Sequence, residues 1–516
     1  MTTPRLPEGA GTDQVGHIET RGVGYIPEAE RHSKPRELTA VFIGTQMCFG
    51  IIVLGYLPVS FGLGWWGSIT STLTGLLIGS ALFAPLALLS TRTGTNSAVS
   101  SGAHFGVVGR MIGSLVGIFT AIGFYALTVW TGGQALIAGL HKLAGLPDTT
   151  AASAIAYAVI AALTLLVAIY GHANVVLANR ILVPTMGILL LAGVFVLAPK
   201  FTAAAPSPEL LLGSYPATWL LSATTAASLP ISYSPYVGDY TRYISARTHR
   251  SVEVAAAAGV GMFLGCAVAL CFAIYVAMTF PPDITDWVIG FVTVSPPAFV
   301  AAIVVIALLG SCAQAALCVY GTGLDTSSIF PSLKRVPATL LIGAAGTALV
   351  YIGAFVYNLV AAATAFLLIL LVVTAPWLVI NLLGYHFCRG RYYAQDLQVF
   401  NLQPRISGGA YWFTRGWNIA AMTAWLVATG VGMMFVHTTL YVGPWSNAAG
   451  GVDLSFLSAA AIGGILYAVL VRLVPDSVVI PTTVSEDNDT RRIEELRATA
   501  EAKQPEPSTP DRPVLR

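Results

Sequence analysis

Trp130 and Gln134 are two side chains that could together recognise a flat, polar molecule. They stand four residues apart in a long apolar segment, so both lie on one face of a helix. A large aromatic ring stacks on a planar solute, and an amide one turn away can form hydrogen bonds with its edge. The alternative is a tryptophan at the membrane interface beside a glutamine whose hydrogen bonds are made within the protein.

Gln46 offers a second amide, in the first apolar segment of the chain. A buried amide among membrane helices is costly unless it finds partners. This side chain either joins two helices through a hydrogen bond or contacts a solute, and both interpretations fit the segment.

Residues 228–243 form the segment that would position further polar groups. They read SLPISYSPYVGDYTRY and place Pro230 and Pro235 five residues apart, with Ser232 between them. Proline removes a backbone donor and clashes with the preceding turn, so this helix cannot stay regular. Irregular backbone survives in a membrane only where it is packed in protein or lines a cavity. Such a broken helix is typical of a transporter's binding site, whereas a proline-kinked packing helix is the alternative.

The composition predicts an all-α polytopic membrane protein. Of the 516 residues, 55% are hydrophobic and only 10% are charged, a balance outside the soluble range. Apolar runs of 18 or more residues recur, each long enough to cross ~30 Å of hydrocarbon. The twelve predicted transmembrane helices cover residues 38–61, 66–90, 111–140, 151–171, 181–199, 218–237, 254–280, 295–328, 338–356, 359–387, 416–438 and 454–473.

Charge placement predicts the orientation of these spans. With twelve spans both chain ends lie on one side, together with all of the 26 Lys and Arg residues except Lys142 and Lys200. The positive-inside rule therefore predicts a multi-pass protein of the cell membrane with both termini in the cytoplasm. Residues 1–36 are predicted as a cytoplasmic N-terminal arm and residues 476–516 as a disordered cytoplasmic tail, because neither has enough apolar content to fold alone.

Enzymatic and metal sites find no support in the sequence. The six cysteines show no metal-binding spacing, the eight histidines lie near span ends, in loops or in the N-terminal arm, and no catalytic triad is present. No charged residue falls clearly at mid-bilayer, whereas a charged solute would meet an opposite charge, a metal or a helix terminus. The expected partners are therefore the lipid bilayer and a small, neutral, flat and polar solute, with no cofactor, no metal and no nucleic acid.

Several ordered motifs extend from about Ile18 to Leu473. They are IETRG (18–22) with IPEAER (26–31), SPYVGDYTRY (234–243), APW (375–377) with residues 389–397, YW (411–412) with GWN (416–418), and VGP (442–444) with GGVD (450–453). In this order they resemble the purine–cytosine permease family of nucleobase–cation symporters, which also includes uracil, allantoin, hydantoin and thiamine carriers. The resemblance implies a secondary active transporter that imports a neutral nucleobase-like heterocycle, such as a purine or cytosine, by cation symport with alternating access.

The resemblance also implies the architecture. Ten core helices would form two inverted five-helix repeats of the LeuT-like kind, followed by two peripheral helices. These units correspond to residues 37–200, 215–390 and 411–475. The first and sixth spans would be the broken helices, with the solute between them and the third and eighth spans.

Carried over position by position, the resemblance assigns substrate contacts. The tryptophan of the third span would stack on the ring, and the glutamine one turn later would bind its edge. Gln46 stands where relatives usually have Asn, and Tyr233 replaces a Trp that often precedes the SPY motif. Cys318 stands where many relatives have Asn, and Gln314, one turn earlier, could supply a substitute amide. The predicted substrate-binding residues are Trp130, Gln134, Gln46, Tyr233, Gln314, Cys318 and Ser232.

The coupling ion is predicted to be a proton, with sodium as the alternative. The Ser and Thr oxygens that build the sodium site of sodium-coupled relatives are not evident, since Cys312 and Ala313 stand in that region. Asp239 and Asp325 are the coupling candidates, although each could simply cap or anchor its helix. Alternatives to this function are a sodium-coupled carrier of a hydantoin, allantoin or vitamin, and a non-transporting membrane sensor. The oligomeric state does not follow from the sequence.

Overall fold

The computed structural model describes residues 23–170, 172–206, 209–330, 333, 335–356, 359–401, 407–438, 441–447, 453–482 and 486–501. Within these ranges the side chains of residues 170, 172–183, 312–317, 320, 327, 335, 355, 356, 359–363, 486–488, 497 and 499–501 are not described. The longer helices of the described residues are α1 (Pro35–Gln46), α2 (Phe49–Ser60), α3 (Trp65–Thr93), α4 (Ser97–Phe105), α5 (Met111–Ala144), α6 (Thr150–Tyr170), α7 (His172–Leu197), α8 (Tyr215–Ser232), α9 (Val237–Thr241), α10 (Ser251–Ala277), α11 (Trp287–Val294), α12 (Pro297–Ile329), α13 (Arg335–Val356), α14 (Leu359–Phe387), α15 (Ile419–Phe435), α16 (Ser455–Leu473) and α17 (Glu486–Glu501).

A polytopic all-helical fold is confirmed. Each of the twelve predicted spans overlaps a helical segment, and the described residues contain no named β-strand. In the part of the chain that the structure describes, seven single helices are long and apolar enough to cross a membrane, and the bent pair α1–α2 makes an eighth. The count of twelve spans and the inverted repeat stay predictions.

The first span is broken in its middle. Helix α1 ends at Gln46, and α2 begins at Phe49 after a bend of 71°. Gly50 lies just beyond the bend, where a Cβ atom would stand only 2.9 Å from the Cα of Thr128 on α5. The bend therefore lets the backbone of α2 approach the third span closely, as small residues permit in membrane helix packing.

The sixth span is also irregular, at the position of Pro235. Helix α8 ends at Ser232, and a short 3₁₀ turn at Ser234–Tyr236 separates it from α9. Proline cannot donate the backbone hydrogen bond that a continuing helix would need, so the break falls beside this residue. Pro230, in contrast, lies inside α8 without ending it. Of the two prolines, only Pro235 marks the break.

The long helices pack as two groups. Helix α3 packs against α8 and α10, and α10 packs against α1, whereas α5, α6, α12 and α13 each contact the other three. Within the first group, the hydroxyls of Ser71 and Ser222 lie 2.7 Å apart between α3 and α8. Gly265 of α10 lies so close to α1 that a Cβ there would stand 2.9 Å from the Cα of Ile43. The two broken spans thus belong to the first group and face the second.

The segment before α1 ties the two broken spans together at one end. The backbone N–H of Ser33 donates to the Tyr243 carbonyl just after α9, at 3.0 Å. The guanidinium of Arg31 donates to the Thr91 carbonyl of α3 at 2.9 Å and pairs with Glu28 at 2.6 Å. This end of the first helix group is therefore held by polar contacts as well as by apolar packing.

The prediction of a disordered tail over residues 476–516 is wrong for Glu486–Glu501, which form α17. Arg492 of this helix pairs with Asp396 at 3.0 Å, and Asp489 accepts a hydrogen bond from the Ala394 N–H at 3.0 Å. These polar contacts dock α17 on the segment after α14. A low apolar content therefore did not prevent the helix from forming.

Candidate functional site

The amide of Gln46 forms the end of α1 at the break and is completely buried. Its nitrogen donates to the Thr45 hydroxyl at 3.3 Å, and its oxygen accepts from the Cys266 thiol of α10 at 3.6 Å. Both contacts are long for hydrogen bonds of their kinds, and a thiol is a weak donor. A solute with stronger hydrogen-bonding groups could therefore compete for this amide.

Tyr233 occupies the break of the sixth span and is also completely buried. Its ring centroid lies 5.1 Å from that of Phe124 on α5. Its surroundings include the thiols of Cys318, Cys48 and Cys266. The thiol of Cys318 is the hydrogen-bonding neighbour of its hydroxyl, which has no stronger partner among the described residues. A thiol forms only weak hydrogen bonds, so this hydroxyl is suited to a stronger partner from outside the protein.

Thr128 on α5 faces the break of the first span, where the thiol of Cys48 lies beside it. This thiol is the hydrogen-bonding neighbour of the Thr128 hydroxyl, which has no stronger partner among the described residues. The hydroxyl of Ser311 on α12 has no hydrogen-bond partner among the described residues. The side chains gathered at the two breaks are all uncharged. We call them the uncharged cluster: Gln46, Cys48, Thr128, Tyr233, Cys266 and Cys318.

Trp130 and Gln134 lie further along α5, towards its end at Ala144. Trp130 is 8% exposed, and a Cβ on Gly353 of α13 would stand 3.5 Å from its ring. The amide nitrogen of Gln134 donates to the carboxylate of Asp286 at 3.4 Å. Neither side chain faces lipid freely, but their described partners belong to α13 and the segment before α11 rather than to the uncharged cluster.

Two other predicted substrate contacts, Ser232 and Gln314, give less support to a solute site. The Ser232 hydroxyl donates to the Leu229 carbonyl of its own helix at 2.9 Å, so its hydrogen bond is used locally. The side chain of Gln314 lies outside the part of the chain that the structure describes.

Asp239 of α9 and Asp325 of α12 form a second polar region, which we call the acid pair. Each is only 2% exposed, and they interact electrostatically with one another. A Cβ on Gly321, one turn before Asp325, would stand 2.9 Å from a carboxylate oxygen of Asp239. Tyr236 lies beside both carboxylates and donates from its hydroxyl to the Gly117 carbonyl of α5. The acid pair thus joins α9, which packs on α3 of the first group, to helices of the second group.

Residues 25–457 match the model of a protein family described as "Permease for cytosine/purines, uracil, thiamine, allantoin". The match covers most of the chain, including both broken spans. The chain belongs to this permease family. It is therefore a transporter and not an enzyme.

Known proteins agree with this assignment. The permease is 26% identical over 470 residues to "Putative purine-cytosine permease YxlA" of Bacillus subtilis (strain 168), which covers 88% of this chain and 96% of the relative. Among solved structures it is similar to Mhp1, a nucleobase-cation-symport-1 family transporter, in a closed conformation with bromovinylhydantoin bound. The TM-score is 0.71 at 18% identity, covering 92% of this chain and 99% of Mhp1. The inward-facing conformation of Mhp1 gives a TM-score of 0.68 at 18% identity, covering 93% of this chain and 99% of Mhp1. At these identities the similarity establishes the shared fold.

Sequence reasoning missed four side chains of the candidate site. Thr128 lies six residues before the predicted glutamine, but a threonine in an apolar span gives no signal by itself. Cys48 and Cys266 show no metal-binding spacing and so were not candidates, and only the packing of α10 on α1 brings Cys266 to Gln46. Asp286 stands in a loop far along the chain, and no pattern connects it with the third span.

Proposed function

We propose that the permease imports a neutral, nucleobase-like heterocycle by secondary active transport. The observation that carries this proposal is the uncharged cluster at the two helix breaks. It offers an amide, thiols and hydroxyls in a buried position, and the hydroxyls of Thr128 and Tyr233 have only the thiols of Cys48 and Cys318 as hydrogen-bonding neighbours among the described residues. A solute that supplies stronger hydrogen-bonding groups could replace these weak contacts.

The chemistry of the cluster favours an uncharged solute. Its six members carry no formal charge, whereas a charged solute within a membrane normally needs an opposite charge or a helix terminus beside it. The aromatic ring of Tyr233 and, further along α5, that of Trp130 suit a flat molecule. The predicted roles of Trp130 in stacking and of Gln134 in binding the ring edge belong to this proposal.

Rocking between the two helix groups would expose the solute to each side in turn. Both breaks lie on the first group, and the third and eighth spans of the second group face them. Movement of one group relative to the other would open the site without dismantling either. The placement of Lys and Arg supports an orientation with both termini in the cytoplasm of the cell membrane.

Proton symport through the acid pair is the proposed coupling. Two carboxylates close together in a buried site favour a state in which at least one is protonated. His104 on α4, which lies outside the membrane-spanning helices, is less suited to carry the coupling proton. Burial lowers the pKa of its imidazole to about 3 and keeps it neutral near physiological pH. Sodium symport is the second candidate, and the family's range of substrates leaves hydantoins, allantoin and vitamins as alternative solutes.

Uptake into proteoliposomes tests the proposal directly. Labelled purines, pyrimidines, hydantoins, allantoin and vitamins are supplied in turn while the sodium and pH gradients are varied independently. We expect accumulation of one nucleobase-like compound, driven by an inward proton gradient and unaffected by sodium. Binding without accumulation would instead indicate a sensor, and accumulation driven only by sodium would overturn the proton assignment.

A further inference from the structure

Asp286 is held rigidly at the start of α11. One of its carboxylate oxygens accepts the backbone N–H of Ile289 at 3.0 Å and caps the helix. At the other end of α11, Lys142 of α5 donates to the carbonyl oxygens of Val292 at 2.8 Å and Ser295 at 2.7 Å. Lys142 lies on the same helix as Gln134, so these contacts fix the carboxylate relative to that glutamine.

Three further contacts hold this short helix and the residues before it against the first span and α10. The Trp287 ring is 1% exposed, and its indole N–H donates to the Ala273 carbonyl of α10 at 3.0 Å. Its ring centroid lies 5.9 Å from that of Phe49, the first residue after the break. Tyr56 of α2 donates to the Ile284 carbonyl at 3.3 Å. The carboxylate of Asp286 therefore has a defined position close to the first break.

The second carboxylate oxygen of Asp286 faces the amide of Gln134 at 3.4 Å. An ionised carboxylate can only accept hydrogen bonds, so the amide nitrogen and not the amide oxygen must point towards it. The amide oxygen then points away. It is buried and has no hydrogen-bond partner among the described residues.

We infer that Asp286 is a positioning residue that holds Gln134 with its amide oxygen towards the solute, so that the permease selects heterocycles presenting an N–H or NH₂ donor at that edge. This inference rests on the proposed function, in which the glutamine binds the ring edge. With the Gln134 amide oxygen held in this orientation, the permease binds a solute more weakly if that edge carries another acceptor or a methyl group. The buried oxygen is then left without a hydrogen bond.

N-methylated derivatives provide the test. For whichever of cytosine, uracil or hypoxanthine is carried, each ring N–H is replaced in turn by N–CH₃, and inhibition of labelled uptake is measured in proteoliposomes. We expect one position at which the wild-type permease disfavours the methyl derivative by about tenfold to a hundredfold, the loss of one buried hydrogen bond. In Asp286→Asn the amide of Gln134 can exchange the positions of its oxygen and nitrogen. The preference for the unmethylated heterocycle should therefore decrease several-fold.

Two further variants separate positioning from structure. Asp286→Ser keeps a side chain that can cap α11 but removes the carboxylate facing Gln134. It should therefore decrease the preference for the unmethylated heterocycle in the same way. Asp283→Asn removes an exposed acid three residues earlier in the same loop and should leave the preference unchanged. Thermal unfolding and the amount of protein in the membrane are measured for all three, so that misfolding is distinguished from altered selection.

The outcomes separate this inference from the proposed function. If the wild-type permease carries none of the heterocycles, the proposed function fails. If it carries one and both Asp286 variants discriminate among methyl derivatives as the wild type does, the proposed function stands and Asp286 does not set the orientation of Gln134.

Discussion

The uncharged cluster and the acid pair share the same broken span but differ in chemistry. Tyr233 belongs to the first and Tyr236 borders the second, and their ring centroids are only 6.1 Å apart. Around Tyr233 the structure places the thiols of three cysteines, whereas Tyr236 lies beside two buried carboxylates. One short 3₁₀ turn thus links a region suited to a neutral solute with a region suited to a proton.

Under the proposed function, this difference separates the recognition of the solute from the coupling to protons. Charge buried beside the solute would favour charged molecules, so its placement beyond Tyr236 lets recognition stay neutral. Because the acid pair bridges the two helix groups, its protonation can respond to their relative position. Recognition and coupling should therefore respond to different substitutions.

The largest expected effect follows from Asp325→Asn. An amide cannot take up or release a proton, so accumulation against a gradient should be abolished. Exchange of labelled for unlabelled solute, which needs no net proton movement, should persist. Asp283→Asn serves as the matched control and should accumulate solute normally. Loss of exchange together with accumulation, in a variant of unchanged thermal stability, would show that Asp325 also belongs to the recognition region.

Trp130→Ala should lower uptake by about a hundredfold, because stacking of a base on an aromatic ring contributes about 1–3 kcal/mol and the ring also fills space beside α13. The amount of protein in the membrane should not fall. Trp130→Phe keeps a flat ring and should retain most of the uptake. Full uptake in the alanine variant would remove Trp130 from the recognition region.

Tyr233→Phe should raise the KM of uptake by about tenfold, since it removes one hydrogen bond to the solute and leaves the ring in place. The number of protons carried per solute should not change. Tyr467→Phe is a suitable control, because this tyrosine is also buried and its hydroxyl has no hydrogen-bond partner among the described residues, but it lies on α16, away from both breaks. An unchanged KM in Tyr233→Phe would exclude its hydroxyl from solute binding.

The smallest effect is expected from Cys266→Ala. The thiol is a weak donor to Gln46, so its removal should change the KM by only about two- to fivefold. Competition assays with a series of heterocycles would show whether the freed amide relaxes selectivity. A change in the number of protons carried per solute would instead contradict the separation of the uncharged cluster from the acid pair.

The sequence predicted the positions of the helical spans well, because long apolar runs have few alternative structures in a membrane. It also predicted the break of the sixth span from its prolines, although Pro230 is accommodated within α8. No proline marks the break after Gln46, which only the family resemblance implied. Helix α17 was missed because its docking depends on specific pairs such as Arg492 with Asp396, which composition does not reveal.

The candidate site was predictable where family motifs fix a position and unpredictable where distant segments meet. Tyr233 and Gln46 were found, and both lie at helix breaks. The contact of Gln134 with Asp286 joins residues 152 positions apart. The contact of Cys266 with Gln46 spans 220 positions. Such contacts arise from helix packing, which periodicity and spacing do not encode.

The most direct test measures solute uptake and internal pH simultaneously in proteoliposomes containing wild type, Tyr233→Phe or Asp325→Asn. The predicted result is that Tyr233→Phe raises the KM while keeping the wild-type ratio of protons to solute, and that Asp325→Asn eliminates proton movement while solute exchange keeps its KM. The account would be contradicted if Asp325→Asn altered the KM as strongly as Tyr233→Phe, or if proton movement survived in the Asp325 variant.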